Sequence, residues 1–405
     1  MLRWLCALVP CLGLWLSGSA VAAEAQDVVL GTKVGTVDVQ LFIPSEAKVL
    51  RGIIVHAAHY KLSATDRWAE VCRTIGFAHA ALYINLKETN RPLKLRKGLD
   101  EGLKEFAEKA GRPELLNLPF AGVGHSAGGM VSPVMLRTPE RTLTTCVSCG
   151  WIADPAKLSA EAAAVPHAFT LGAIPDAFKM LPGIEERFIP ARKEGRPWGL
   201  VVQWECAHDW GNSAAFFVPW MIAVCEMRLP KDWDPLAGPP KLLDAKQEDG
   251  WLGDRTSVEG NFATVAAWAD YSGDRALASW LPNRAVAFVW RAMMSKDSPV
   301  VLELAAADGS GKLAGYDPKA DRTVMVNPGV DIVLSAAVKE GFGVKSVAFY
   351  DGDRLLGEAA QAPWQFTWKG AAQGAHAVFA QWATPDGKPG VSNPALIVVR
   401  AKAEK

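Results

Sequence analysis

Between residues 37 and 227, short apolar runs alternate with longer amphipathic segments, and that rhythm restricts the chain to few folds. Val37-Asp38-Val39-Gln40-Leu41-Phe42-Ile43 alternates as a half-buried strand does. Gly52-Ile53-Ile54-Val55 is an all-apolar run, as expected for a strand buried on both faces, and residues 80–84, 118–123, 144–148, 167–171 and 199–204 read as further strands. Between them, residues 66–75, 99–110, 183–193 and 214–227 read as helices, the second with Glu and Lys on its outer face. Strands joined by helices of this length need crossovers. A mostly parallel sheet with helices on both faces, an α/β fold, is therefore expected.

The rhythm breaks at Pro235, Gly238, Pro239 and Pro240. Beyond them, residues 258–271 and 281–294 read as two Trp-bearing helices, so residues 236–296 are expected to form a helical extension packed on the preceding domain of residues 27–235. After Asp297-Ser298-Pro299 the period becomes two. Residues 331–336, 344–350, 364–368, 375–384 and 396–399 read as strands, separated by turn signals such as Asp351-Gly352-Asp353 and Pro385-Asp386-Gly387. This pattern predicts an all-β, immunoglobulin-like sandwich over residues 297–402 with a core of its own. The sandwich holds no cysteine and offers no residue to the site described next, so it is expected to be dispensable for chemistry.

Composition narrows the partners. Lys+Arg and Asp+Glu both total 43 in a chain of 405 residues, and this balance lacks the basic surface that nucleic acid selects. Residues 1–23 read as an export signal: Arg3, an apolar stretch from residue 5 to 16, then Ser19-Ala20-Val21-Ala22-Ala23 for cleavage. No later run reaches the roughly 18 apolar residues of a membrane span. The expectation is a secreted or periplasmic protein without an integral membrane segment once the signal is removed. Cys6 and Cys11 leave with the signal, and Cys72, Cys146, Cys149, Cys206 and Cys225 remain, an odd number. Cys146-Val147-Ser148-Cys149 has redox or zinc spacing, but with no second pair beside it the cysteines read as buried apolar residues.

Gly124-His125-Ser126-Ala127-Gly128 follows the strand at 118–123 and precedes a helix-competent segment at 129–136. The spacing suits a sharp strand-to-helix turn that lifts a serine hydroxyl to an exposed apex, where neighbouring side chains would clash. On this motif, with an acid and a histidine downstream, residues 27 to about 230 resemble the α/β-hydrolase superfamily, in particular exported esterases of the dienelactone-hydrolase-like kind. Separately, Lys345-Ser346-Val347-Ala348-Phe349-Tyr350-Asp351-Gly352, Gly374-Ala375-His376-Ala377-Val378 and Ser392-Asn393-Pro394 resemble a bacterial immunoglobulin-like module.

The resemblance implies the chain order nucleophile, acid, histidine. Order removes His56, His59 and His79. His167 opens a strand, at the wrong end for such sheets, whereas His208 follows the strand at 199–204 and is the candidate base. Asp176, past the strand at 167–171, is the candidate acid, with Asp154 after the preceding strand as the alternative. The oxyanion hole needs two backbone N–H groups. One is expected from Ala127 and one from the segment His56-Ala57-Ala58-His59-Tyr60, at Ala58 or His59. His59, Tyr60 and Trp151 are candidates for substrate binding, and Trp204 and Trp210 either stack on substrate or pack in the core.

The implied activity is cleavage of a small-molecule or carbohydrate ester through an acyl-enzyme, with no metal or organic cofactor. A peptidase or lactonase on the same residues, and a noncatalytic glycan- or protein-binding scaffold, are the alternatives. Nothing in the sequence fixes the oligomeric state.

Overall fold

The computed structural model describes residues 26–65, 67–174, 178–256, 261–309, 311–313 and 322–400. The signal-like segment lies outside the described residues. Strands β1 (Val28–Val34), β2 (Val37–Ile43), β3 (Gly52–Ala58), β4 (Phe77–Tyr83), β5 (Phe120–His125), β6 (Thr142–Ser148), β7 (His167–Gly172) and β8 (Trp198–Gln203) form one eight-stranded sheet. Its order is β1-β2-β4-β3-β5-β6-β7-β8. The pairs β1/β2 and β2/β4 are antiparallel and every other pair is parallel, which makes the sheet mixed at one edge. The sequence rhythm does not reveal β1, because this edge strand alternates between half-buried and exposed residues and touches the core only at its margin, through Val28 and Leu30.

Helices cover both faces. Helix α1 (Arg67–Ile75) and, much later in the chain, the long apolar helix 213–228 pack on one side through Trp68, Val71, Phe216, Phe217 and Trp220. On the other side lie α2 (Arg91–Ala110), α3 (Val131–Met135) and the helix Leu181–Lys193, burying Leu95, Leu99, Phe106, Val131, Val134 and Phe188. With the short helix Ala160–Ala163 counted as α4, Leu181–Lys193 is α5 and Ser213–Arg228 is α6. The α2 helix reaches residue 91, eight positions before the residue-99 start read from periodicity. Pro92 tolerates a first helical turn, where its missing N–H has no partner to lose.

The extension is not a pair of helices. Of the two expected, only the second forms, as α7 (Arg284–Met293), with the Asn283 side chain capping the Val286 N–H at 2.9 Å. In place of the first, β9 (Trp251–Gly253) pairs with β10 (Val265–Ala267) and β11 (Ser279–Leu281) in a small antiparallel sheet; residues 257–260 lie outside the described ones. Pairing across the sequence overrides the local helical pattern here, as it commonly does. The extension also screens the outer strand of the main sheet. Ser279 Oγ accepts from Leu200 N at 3.0 Å and donates to Leu200 O at 2.9 Å, and Trp290 Nε1 donates to the same carbonyl at 2.8 Å. An edge strand left bare would invite pairing with another chain.

The C-terminal region is all β. One sheet joins Gly311–Lys312, Val300–Ala306, Ile332–Val338 and Gln365–Trp368. The other joins Thr323–Val326, Ala395–Val399, Gly374–Ala383, Ser346–Asp351 and Arg354–Ala359, with Pro389–Val391 added beside Gly374–Ala383. Between them lies a core of their own, including Val300, Leu334, Phe349, Trp382 and Ile397. The second sheet is not free on its other face, contrary to the expectation of a separable module. Ala377, Phe379, Val391, Leu396 and Val398 join the same hydrophobic cluster as Trp68, Cys72, Val218 and Met293. Period-two sequence gives no sign of this docking, since either face of such a strand can be apolar for its own sandwich. Arg400 also pairs with Glu70 at 3.2 Å across the junction.

A shared cluster couples the two parts. Phe379 is 2% exposed and stacks on Tyr350 at 5.7 Å. Phe379→Ala is expected to cost about 3–5 kcal/mol. Calorimetry of the wild-type protein should show one unfolding transition for both parts, and two well-separated transitions would mean that the cluster does not couple them.

Candidate active site

The geometry around Ser126 begins with backbone. Strand β5 lies between β3 and β6, with Gly124 opposite both Ala57 and Val147 and His125 opposite Ser148. The chain leaves β5 through Ser126 at φ 53°, a left-handed conformation that side-chain-bearing residues adopt rarely, and enters the turn Ser126–Met130. Glycines make that turn fit. A Cβ on Gly124 would stand 2.1 Å from the Gly128 carbonyl oxygen, and one on Gly128 2.3 Å from that of Ala57. One on Gly150 would stand 2.6 Å from the Ser126 carbonyl oxygen. Each is closer than a carbon can approach, so all three positions exclude a side chain.

His208 reaches this serine from the loop after β8. Its Nε2 lies 2.8 Å from Ser126 Oγ, and the imidazole is exposed. Polar groups beneath the loop hold it. Gln203 Oε1 accepts from Asn212 N at 2.7 Å, while Gln203 Nε2 donates to Ser213 Oγ at 3.0 Å and to the Trp210 carbonyl at 3.3 Å. The Ser213 hydroxyl in turn sits 2.6 Å from Thr170 Oγ1 and 3.2 Å from Ser148 Oγ. Gly172 is needed here as well, because a Cβ there would meet the Ala207 carbonyl oxygen at 2.1 Å. Sequence reading missed Gln203, Ser148 and Ser213. One Gln at a strand end and two isolated serines carry no pattern that would have revealed them.

The two aspartates fare differently. Asp154 caps a short helical turn, Pro155–Lys157. Its Oδ1 accepts from Ala156 N at 3.2 Å, and it pairs with Lys157 at 3.2 Å. That lysine holds its carboxyl below the usual range. Asp176 lies outside the described residues. The chain leading to it is bonded to the His208 loop, however: Ala173 N donates to Gln203 O and Ile174 N to Cys206 O, both at 2.9 Å.

The remaining candidates surround the serine. Ala127 follows it in the turn, and the end of β3 lies against the same turn, with the Ala58 Cα 3.7 Å from where a Gly128 Cβ would stand. Trp151, next to Gly150, is 66% exposed, with the Arg187 guanidinium 5.2 Å from its ring centre. His59 and Tyr60 meet edge to face at 5.4 Å, and the Tyr60 hydroxyl accepts from Trp210 Nε1 at 3.4 Å. A recess of about 330 Å³, lined by His56, Tyr60, Lys61, Trp68 and Trp210 among others, opens beside them. Trp204 is tied away from it, its Nε1 donating to the Met294 carbonyl at 3.0 Å. Cys149 and Cys206 flank the loop as free thiols, and burial pushes the Cys206 thiol up to about 11. Among the described residues, no group of three or more His, Cys, Asp or Glu side chains could hold a metal ion.

His125 packs its ring 5.2 Å from that of His208. Burial, then the neighbouring His208, lowers its pKa to about 4.

The model of the bacterial Ig domain family matches residues 317–380. No curated protein matches the chain. Among solved structures, the chain is similar to fibronectin(III)-like modules of Clostridium thermocellum CbhA, at 29% identity over 24% of this chain and 93% of that one, with a TM-score of 0.19. It is similar to a dienelactone hydrolase from Anabaena variabilis, at 19% identity over 44% of this chain and 86% of that one, TM-score 0.31. It is also similar to an α/β hydrolase enzyme from a Medee basin deep-sea metagenome library, at 10% identity over 44% and 81%, TM-score 0.33.

The lowered pKa of His125 fixes a sign for stability. The unfolded histidine titrates near 6.5 and the folded one near 4, so between those values the unfolded state binds more protons. Stability contributed by neutral His125 is present above about 6.5 and is lost as pH falls toward 4. The slope stays below ~1.4 kcal/mol per pH unit, because at most one proton separates the two states, and remaining solvent contact lowers it further. His125→Gln should therefore lose less stability than wild type between pH 7 and pH 5 in chemical denaturation. An equal loss in both would contradict the burial argument.

Proposed function

We propose that this chain is an exported serine hydrolase that cleaves carboxylic esters through Ser126, His208 and Asp176. The observation that carries the reading is the 2.8 Å contact between Ser126 Oγ and His208 Nε2 at a left-handed turn. A hydroxyl in that position is activated when the imidazole takes its proton during attack on an ester carbonyl. The tetrahedral oxyanion would then be met by the N–H groups of Ala127 and Ala58. His208 returns its proton to the departing alcohol, and the same imidazole activates water to release the acid from the serine.

Asp176 is assigned the orienting carboxylate. The support is the bonding of Ala173 and Ile174 to the His208 loop, and the commitment of Asp154 to its own capping turn and Lys157. The exposed imidazole and the exposed Trp151 favour small-molecule or carbohydrate esters that reach an open cleft. Export is supported by the leader-like first 23 residues and by the match to the bacterial Ig domain family at 317–380; among the described residues no helix is long and apolar enough to cross a membrane.

Hydrolysis of p-nitrophenyl esters tests the reading. Ser126→Ala and His208→Ala should each lower kcat by on the order of 10³-fold or more, because such residues act as a unit. Asp176→Asn should cost far more than Asp154→Asn. Wild-type turnover in Ser126→Ala would end the assignment, and the reverse ranking of the aspartates would move the acid to position 154.

A further inference from the structure

Ser392-Asn393-Pro394 sits where the C-terminal sandwich meets the main sheet, and each residue bonds in a different direction. Ser392 is fastened to the strand Gly374–Ala383: its N–H donates to Ala380 O at 2.8 Å, and its Oγ accepts from Ala380 N at 3.0 Å. Asn393 Nδ2 donates to the carbonyls of Ala292 and Ser295, at 3.1 and 3.2 Å. Ala292 is in the last turn of α7 and Ser295 just beyond it, and the Ala292 carbonyl also accepts from Ser295 N at 3.3 Å, so Asn393 adds a second donor at the helix end. Ser295 Oγ donates in return to Val391 O at 2.6 Å. The Pro394 carbonyl accepts from Asn212 Nδ2, also at 2.6 Å.

Asn212 closes the loop that carries His208. Its own N–H is held by Gln203 Oε1. One residue thus joins the loop to β8 on one side and to the sandwich on the other. Within the loop residues 207–209 are exposed, while Trp204 is tied to the Met294 carbonyl and Trp210 to the Tyr60 hydroxyl. A cavity of about 170 Å³ separates the rest of the loop from the sandwich, with Glu205, Asp209, Asn212 and Asn393 on its walls. Across that gap the Asn212 amide donates to the carbonyl of Pro394.

We propose that Ser392-Asn393-Pro394 is a clamp that sets the position of the His208 loop, which makes Asn212 and Asn393 positioning residues for the hydrolysis. The inference rests on the reading of His208 as the base. It means that the sandwich belongs to the catalytic unit, because an imidazole must stay within hydrogen-bond reach of its serine and small displacements cost rate steeply.

The test uses the full chain with Asn212→Leu and Asn393→Leu, which keep side-chain size but remove the donors. The second change is remote from the loop backbone, so it serves if the first fails to fold. Titration with a fluorophosphonate counts reactive sites per chain, and kcat on p-nitrophenyl acetate is divided by that count. The clamp requires an unchanged count, with kcat per site lowered about tenfold and KM within about twofold. Hydrogen exchange of residues 204–212 should accelerate by about tenfold in both variants. A lower site count with unchanged kcat per site marks a merely structural role and overturns the proposal. Unchanged exchange overturns it whatever the kinetics show. Faster exchange combined with full activity in Ser126→Ala would support the clamp on the loop while removing the hydrolase reading.

Discussion

The left-handed backbone at Ser126 is the constraint on which the site depends. Holding a non-glycine residue there costs roughly 1–3 kcal/mol and needs surroundings that leave no alternative. Here the surroundings are three strands. Gly124 is fixed by pairing to β3 and β6, Gly128 is pressed on the Ala57 carbonyl, and Gly150 after β6 lies under the Ser126 carbonyl. The parallel order of β3, β5 and β6 is therefore not just a scaffold. It brings the ends of three strands to one point and forces the chain to turn where the serine stands.

The partner of that serine is held by a different means. His208 is on an exposed loop, and its position derives from hydrogen bonds to groups below it: Gln203 at the end of β8, the hydroxyls of Thr170, Ser148 and Ser213, and the backbone of residues 173 and 174. Buried polar groups in this number are costly unless satisfied, and their mutual bonding explains how serine, threonine and glutamine can lie beneath a sheet end. The extension and the sandwich act on the same loop from outside, through Met294 on Trp204 and Pro394 on Asn212. Three regions distant in sequence converge on one histidine.

Much of the main sheet was legible because both of its signals are local. The alternation at Val37–Ile43 matches β2 residue for residue, and the apolar run before Ser126 lies on β5. The spacing of Ser126 and the place of His208 after a strand were also readable, and the two are in contact. Failures came where pairing is non-local. The helical pattern at 265–267 yields to pairing with 251–253, and β1 gives a weak signal because only its half-buried face, through Val28 and Leu30, reaches the margin of the core. The docking of Phe379 and Leu396 against α1 and α6 could not be read, since period two says which face is apolar and not what covers it. Asp154 was a fair alternative by position alone. Its Lys157 partner and its cap on Ala156 become visible only in three dimensions.

The central claim is that one serine, raised by its backbone and matched to His208, carries the chemistry. The most direct measurement is peptide mapping by mass spectrometry after reaction with a fluorophosphonate. One covalent adduct is expected, on the peptide containing Ser126, formed far more slowly in His208→Ala. An adduct on any other residue, or no adduct on folded protein, would contradict it.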